Sequence, residues 1–247
     1  MDITLVRALA RDWSSAMSER LSTACEVETR LFDPPQTRRV FDVERIAYLM
    51  AAHQSARFFE RHMRLAQNLV TPMALLEFAL ARRTVPGLTM EFGVATGRTL
   101  RAICAQTNGM VYGFDGFEGL PQDWTHFQKR GRFSSYGAPP PDLPTNSTLV
   151  IGWFHDTLPD FLAKHPDPVS FVHVDCDLYS STKITLDLLA PRLQPGTILV
   201  FDEYFNYPGW KHNEHRAFTE FIARTGKRAE YFAFASSGQA VAVRLLS

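Results

Sequence analysis

The stretch Leu88-Thr89-Met90-Glu91-Phe92-Gly93-Val94-Ala95-Thr96-Gly97 decides the architecture: five residues of strand character run into a glycine-bearing turn, and a helical stretch follows Gly97. In such a turn the backbone N–H groups and the positive end of the helix face a polar or anionic ligand. Gly93 and Gly97 let the chain turn and let a ligand approach closely. Many strand-to-helix turns carry glycines only for packing, so the turn by itself leaves ligand binding open.

Working outward, short apolar strands alternate with helical stretches from Leu88 onward, which is how a parallel sheet with crossover helices reads in sequence. Strands are expected at 88–92, 111–114, 148–152, 169–174, 197–201, 229–235 and 240–245, and helices after Gly97, Asp156, Ser180 and His212. Ser236-Ser237-Gly238-Gln239 is too short for a crossover, so the last strand should run antiparallel to its neighbour. The fold class is therefore α/β, a Rossmann-like seven-stranded sheet with an antiparallel last strand. Before it, residues 1–86 show helical spacing, as in Arg57 to Met63 followed by Leu65, Leu69, Met73, Leu76 and Phe78, with a break at Pro34-Pro35 and an end at Pro86-Gly87. This gives an N-terminal helical segment over 1–86, serving substrate binding or dimerisation, and a catalytic domain over 87–247.

The segment 117–146 breaks the rhythm with Pro121, Pro139, Pro140, Pro141 and Pro144 among aromatic residues. It follows a strand's carboxyl end, where ligands bind in open α/β sheets, and is expected to be a lid.

Composition narrows the partners. The 247 residues hold 26 basic and 26 acidic side chains and are 45% hydrophobic, so no charge imbalance points to nucleic acid or an anionic membrane. A small-molecule partner is the expectation. Cys25, Cys104 and Cys176 have no metal-cluster spacing, and the N-terminus carries Asp2, Arg7, Arg11 and Asp12 in place of an apolar run. Reduced cysteines and a cytoplasmic location are expected.

Asp115 ends the second strand 24 residues after Glu91, in register for an acidic group that holds ribose hydroxyls. Its alternative is a turn residue in Asp115-Gly116. Asp175 and Asp177 follow the strand 169–174, and Asp202-Glu203 follow 197–201. If those strands are adjacent, Asp175, Asp202 and Glu203 converge, and three hard oxygen ligands suit Mg²⁺ or another divalent cation that would lower the pKa of a bound hydroxyl. Asp177 has the alternative of capping the following helix. Gly152 and Trp153 follow the third strand, where Trp153 and Phe154 are placed either to stack on an adenine ring or to pack in the core. His173 lies in an apolar strand and reads as a hydrogen-bonded core residue. His212 and His215 read as a solvated helix start, with His215 retained as a substrate contact.

Gly113 to Pro121, Gly152 to Pro159, Asp175 to Thr182 and Asp202-Glu203-Tyr204 resemble, in order, motifs of the macrocin O-methyltransferase family, over roughly Met90 to Phe221. The family comprises class I, metal-dependent sugar O-methyltransferases. The resemblance implies S-adenosylmethionine as methyl donor on Glu91, Gly93, Ala95, Gly97, Asp115, Gly152, Trp153 and Asp175. It also implies Mg²⁺ on Asp175, Asp202 and Glu203, Asp175 assisting deprotonation of the acceptor hydroxyl, and a homo-oligomer. The chain departs from the pattern at Glu203, where the family has aspartate, and in the aromatic stretch Phe205 to Trp210. Three other readings stay open: metal-independent methyl transfer, a nicotinamide oxidoreductase, and a non-catalytic cofactor-binding protein. Against the oxidoreductase stand Ala95, in the place of the glycine that admits a pyrophosphate, and the antiparallel last strand.

Overall fold

The computed structural model describes residues 42–125 and 128–247. The expected break at Pro34-Pro35 and Cys25 lie outside the described residues. The chain divides into two compact units at Met50/Ala51, and the unit spanning Ala51–Ser247 carries the sheet and both cavities described below.

The elements are α1 (Val43–His62), β1 (Gln67–Leu69), α2 (Pro72–Leu80), β2 (Leu88–Phe92), α3 (Arg98–Ala105), β3 (Val111–Asp115), β4 (Ser147–Ile151), α4 (Phe154–Lys164), β5 (Val169–Val174), α5 (Tyr179–Leu189), β6 (Leu193–Phe201), a short 3₁₀ turn (Trp210–His212), α6 (Glu214–Thr225), β7 (Arg228–Ala235) and β8 (Val241–Leu246). They form one eight-stranded sheet in the order β1-β7-β8-β6-β5-β2-β3-β4. All seven expected strands are present, and β8 runs antiparallel to both β6 and β7, as the short hairpin connection requires.

The sheet departs from the expected seven strands by one. The segment around Leu69, read as helical, forms β1, which pairs parallel with β7 at the sheet edge. Three residues with Gln67 and Asn68 exposed carry no alternation, so their strand character comes from the long-range pairing. The helical run also ends earlier than Pro86-Gly87: α2 stops at Leu80, with Thr71 capping its start through a hydrogen bond from the Ala74 N–H.

The central strands explain the placement of the site. Every residue of β2 and of β5 is buried, including the polar Thr89, Glu91, Ser170 and His173, as in strands covered on both faces. β2 is flanked by β3 and β5, and β5 by β6, all parallel. The carboxyl ends of β2, β3, β5 and β6 therefore lie side by side, and the order reverses between β2 and β5, the place where open α/β sheets form their ligand crevice. Among the described residues no helix is long and apolar enough to cross a membrane.

Candidate active site

At the end of β2 the chain turns with Gly93 at φ +92, and an added Cβ there would sit 1.7 Å from the carbonyl oxygen of Asp175. Only glycine lets the end of β2 approach the end of β5 this closely. The turn is then tied to the next strand. Asp115 Oδ2 accepts hydrogen bonds from the Val94 and Ala95 N–H groups, each at 2.8 Å, and Oδ1 accepts from the Phe117 N–H at 2.7 Å. Asp115 is thus both a turn residue and the clamp of the glycine turn. Ala95 holds φ +44, a left-handed conformation unusual for a residue with a side chain.

A cleft of about 1100 Å³ opens above these strand ends. Gly93, Ala95, Asp115 and Trp153 line it from the turn side, and Asp175, Asp177 and Glu203 from the acidic side. The segment 117–146 has no helix or strand among its described residues and places Trp124, Gln128, Arg130 and Phe133 on the cleft wall. Arg101 on α3 anchors it, donating at 2.7 Å to the carbonyl of Pro141 and at 2.9 Å to that of Thr96.

Three expected cofactor contacts do not line the cleft. Glu91 points into the protein, fully buried, with Oε1 2.8 Å from Nδ1 of His173; strand alternation turns the residue before Phe92 away from the strand end. Gly97 starts α3 at φ +74, and the nearest atom to an added Cβ is Leu143 of the lid segment, at 2.8 Å. Gly152 faces Thr157 of α4. Trp153 does reach the cleft, as the residue preceding α4.

The acidic side differs from the expected trio. One carboxylate oxygen each from Asp175, Asp177 and Glu203 lie within 4.8 Å of one another. Asp202, expected in that set, stands next to it and acts on Asp175 and Asp177 by charge. Asp177 does not cap α5: the capping position is Leu178, which makes no side-chain cap hydrogen bond. Asp177 instead sits at φ +61 while the Leu178 N–H donates to the Cys176 carbonyl at 2.6 Å. That i to i+2 bond around a positive φ is a strained γ-turn, of the kind proteins keep at functional sites. It presents the Asp177 carboxylate to the cleft.

Sequence reasoning also misses Glu214. Fully buried at the start of α6, it accepts the Glu203 N–H at 3.1 Å and so fixes the backbone of that ligand candidate. Burial followed by repulsion from Asp202 pushes Asp175 well above the usual carboxylate range, and the same causes push Asp177 up to about 7. Burial, then Asp175, raises Glu203 likewise. Glu203 Oε2 is buried with no hydrogen-bond partner among the described residues. This much crowded negative charge, with an orphaned oxygen, fits a hard divalent cation held by carboxylates.

His212 lies on the 3₁₀ turn and, like His215, is absent from the metal-competent group. His215 does not line the cleft. It packs edge-on against Trp210 at 4.7 Å and Tyr204 at 5.1 Å, where burial, Lys211 and His62 bring its pKa down to about 4. The aromatic stretch Phe205 to Trp210 is core: Phe205, Tyr207 and Trp210 are all buried.

A sheet that reverses at β2/β5, a glycine turn clamped by an aspartate and a closing antiparallel strand define a Rossmann-like fold. Residues 90–204 match a family model described as a methyltransferase domain. The chain is 30% identical over 147 residues to the 8-demethyl-8-(2,3-dimethoxy-alpha-L-rhamnosyl)-tetracenomycin-C 4'-O-methyltransferase of Streptomyces olivaceus, covering 49% of this chain and 54% of that one. It is 37% identical over 71 residues to the demethyldecarbamoylnovobiocin O-methyltransferase of Streptomyces niveus, covering 28% and 26%. The aligned parts thus span about half the length of the first relative and about a quarter of the second. Among solved structures, the O-methyltransferase NovP superposes with a TM-score of 0.54 at 25% identity over 71% of this chain and 78% of that one. The calicheamicin methyltransferase CalS11 shares the fold with a TM-score of 0.55 at 24% identity over 89% and 91%. Over residues 90–204 the chain is thus similar to methyltransferase domains, and its fold is that of class I methyltransferases.

Proposed function

We propose that the protein transfers a methyl group from S-adenosylmethionine to a hydroxyl of a small molecule, in the sugar and natural-product class that its relatives' names describe, assisted by a divalent cation. The observation that carries this reading is that the clamped glycine turn, Trp153 and the carboxylates of Asp175, Asp177 and Glu203 all face one cleft.

S-adenosylmethionine supplies an electrophilic methyl on sulfonium sulfur. A divalent cation on Asp175 and Glu203, completed by Asp177 or Asp202, would lower the pKa of the acceptor hydroxyl. The chain's own work is alignment and proton removal. The turn at Gly93 to Ala95 seats the donor, Asp115 holds that turn and offers its remaining lone pairs to ribose hydroxyls, and Trp153 stacks on the adenine. The acceptor oxygen attacks the methyl carbon, the C–S bond breaks, and the hydroxyl proton passes to Asp175. The products are a methyl ether and S-adenosylhomocysteine. The lid segment with Trp124, Gln128 and Arg130 closes over the acceptor and selects it.

The test is methyl transfer from labelled S-adenosylmethionine to a panel of glycosylated and free hydroxylated metabolites, with Mg²⁺ and with chelator. Labelled ether that depends on Mg²⁺ supports the full reading. Ether formed equally in chelator removes the cation from it. A thermal shift with NAD(H) and none with S-adenosylhomocysteine would overturn it altogether.

A further inference from the structure

Arg57 and Arg61 lie one helical turn apart on α1, so their side chains share a face, and both line a second cavity of about 770 Å³. This cavity shares no lining residue with the cleft at the strand ends. Glu214 and His215 show the separation: these consecutive residues of α6 turn opposite ways, Glu214 to the backbone of Glu203 and His215 to the second cavity.

The cavity is cationic. Arg57, Arg61 and Lys211 line it beside the imidazoles of His53, His62 and the neutral His215, and among the described residues no carboxylate does, in a chain whose formal net charge is +0. Among the described residues no carboxylate forms an ion pair with Arg57, Arg61 or Lys211. Fixed positive groups placed together without counter-charges repel one another, and an anion relieves that cost. The wall behind them is aromatic: Phe58 meets Trp210 edge-on at 5.5 Å and Tyr231 at 5.3 Å, and Lys211 Nζ stands 5.3 Å from the Trp210 ring centre. A guanidinium pair at the rim matches phosphate oxygens, and an aromatic wall matches a planar organic group.

We propose that this cavity binds a phosphorylated small molecule, with Arg57 and Arg61 on the phosphate oxygens and its organic part against Phe58 and Tyr231. The site is independent of the methyl-transfer reading and stands or falls separately. A concave site ringed by cations suits a small anion; nucleic acid asks for a basic stripe that follows a backbone.

The test is calorimetric titration of the full chain at low salt with inorganic pyrophosphate, uridine diphosphate, uridine and a single-stranded RNA dodecamer. Pyrophosphate and uridine diphosphate bind and uridine does not, and binding weakens as ionic strength rises. Tighter binding of uridine diphosphate marks a nucleoside-borne phosphate, and equal binding marks free phosphate as the ligand; both outcomes support the site. The double variant R57Q/R61Q weakens uridine diphosphate at least tenfold while S-adenosylhomocysteine affinity stays at the wild-type value, and Lys211→Gln weakens it several-fold should the double variant fail to fold. The proposal is overturned by no heat with either phosphate compound at millimolar concentration, by an affinity indifferent to both variants, or by RNA binding more tightly than uridine diphosphate through the same arginines.

Discussion

His173 Nδ1 lies 2.8 Å from Glu91 Oε1 across the parallel pair β2/β5, with both side chains almost wholly buried directly beneath the acidic strand ends. Burial opposes a charged imidazole, but the hydrogen bond and charge of Glu91, with Asp175 and Asp202 beyond, push His173 up to about 9. A buried positive charge under a group of carboxylates offsets part of their repulsion.

Removing one partner strands the other. Glu91→Gln is expected to destabilise the fold by about 3–5 kcal/mol, because it leaves an uncompensated buried imidazolium. Denaturant unfolding at pH 7 reads this directly. The pH profile provides a second check. A histidine whose folded pKa of about 9 exceeds an unfolded value of ~6.5 contributes its full stability below pH ~6.5 and loses it as pH rises through 9. The double variant Glu91→Gln/His173→Asn should lack this component; an unfolding curve against pH identical to wild type between those values would remove the ion pair from the account.

Asp115 accepts from three backbone N–H groups with two oxygens. In Asp115→Asn one acceptor becomes an NH₂ group that must face a backbone donor, so the turn at Val94-Ala95 or the link to Phe117 is broken. The expected cost is about 1–3 kcal/mol of stability. S-adenosylhomocysteine affinity should fall at least tenfold by calorimetry. Retained affinity with reduced stability would leave Asp115 a structural clamp without a ligand role.

Much of this architecture is legible in the amino-acid sequence, for local reasons. The short strand-forming stretches of β2 and β5, the glycine turn and the four-residue hairpin link are properties of consecutive residues. Asp115 is legible because strand register puts it beside the turn. The features that escape a sequence reading depend on distance or on backbone conformation. β1 exists because it pairs with β7, whose residues lie 166 positions further along, as in Gln67 opposite Ala233. Glu91 follows the glycine-motif spacing but alternates inward. Asp177 reads as a cap because nothing in Asp175-Cys176-Asp177 announces a γ-turn, and Glu214 reaches Glu203 only after the aromatic stretch folds back. The cationic cavity joins α1 to α6 and β7, residues separated by most of the chain.

Arg101 ties the lid segment to α3 through the carbonyls of Pro141 and Thr96. Arg101→Ala removes both links without touching the cleft lining, so the lid should close less often over the acceptor. A several-fold rise in the acceptor's KM with a smaller change for the methyl donor is the expected split. Equal effects on both would place the damage in the α3 start that follows the glycine turn.

The acidic group distinguishes a cation site from a merely crowded rim. A ligand of the native state raises its stability by mass action, about 2.7 kcal/mol at a hundredfold excess over Kd, so Mg²⁺ or Mn²⁺ should raise the wild-type Tm and chelator should reverse it. Asp177→Asn is the cleanest probe, since asparagine tolerates the left-handed conformation that residue 177 requires and only the charge is lost. It should weaken the cation-induced shift at least as much as Asp202→Asn, because Asp177 is the residue whose oxygen lies within 4.8 Å of both Asp175 and Glu203. Glu203→Gln adds a contrast of sign. In chelator, burial and the charge of Asp175 raise the Glu203 pKa and so favour its neutral form, and a neutral amide of the same shape costs less than about 1 kcal/mol. With Mg²⁺ the same variant forfeits the entire stabilisation. A Glu203→Gln protein that still gains the wild-type Tm increment would remove this carboxylate from the cation site and leave the methyl-donor cleft as the active centre without it.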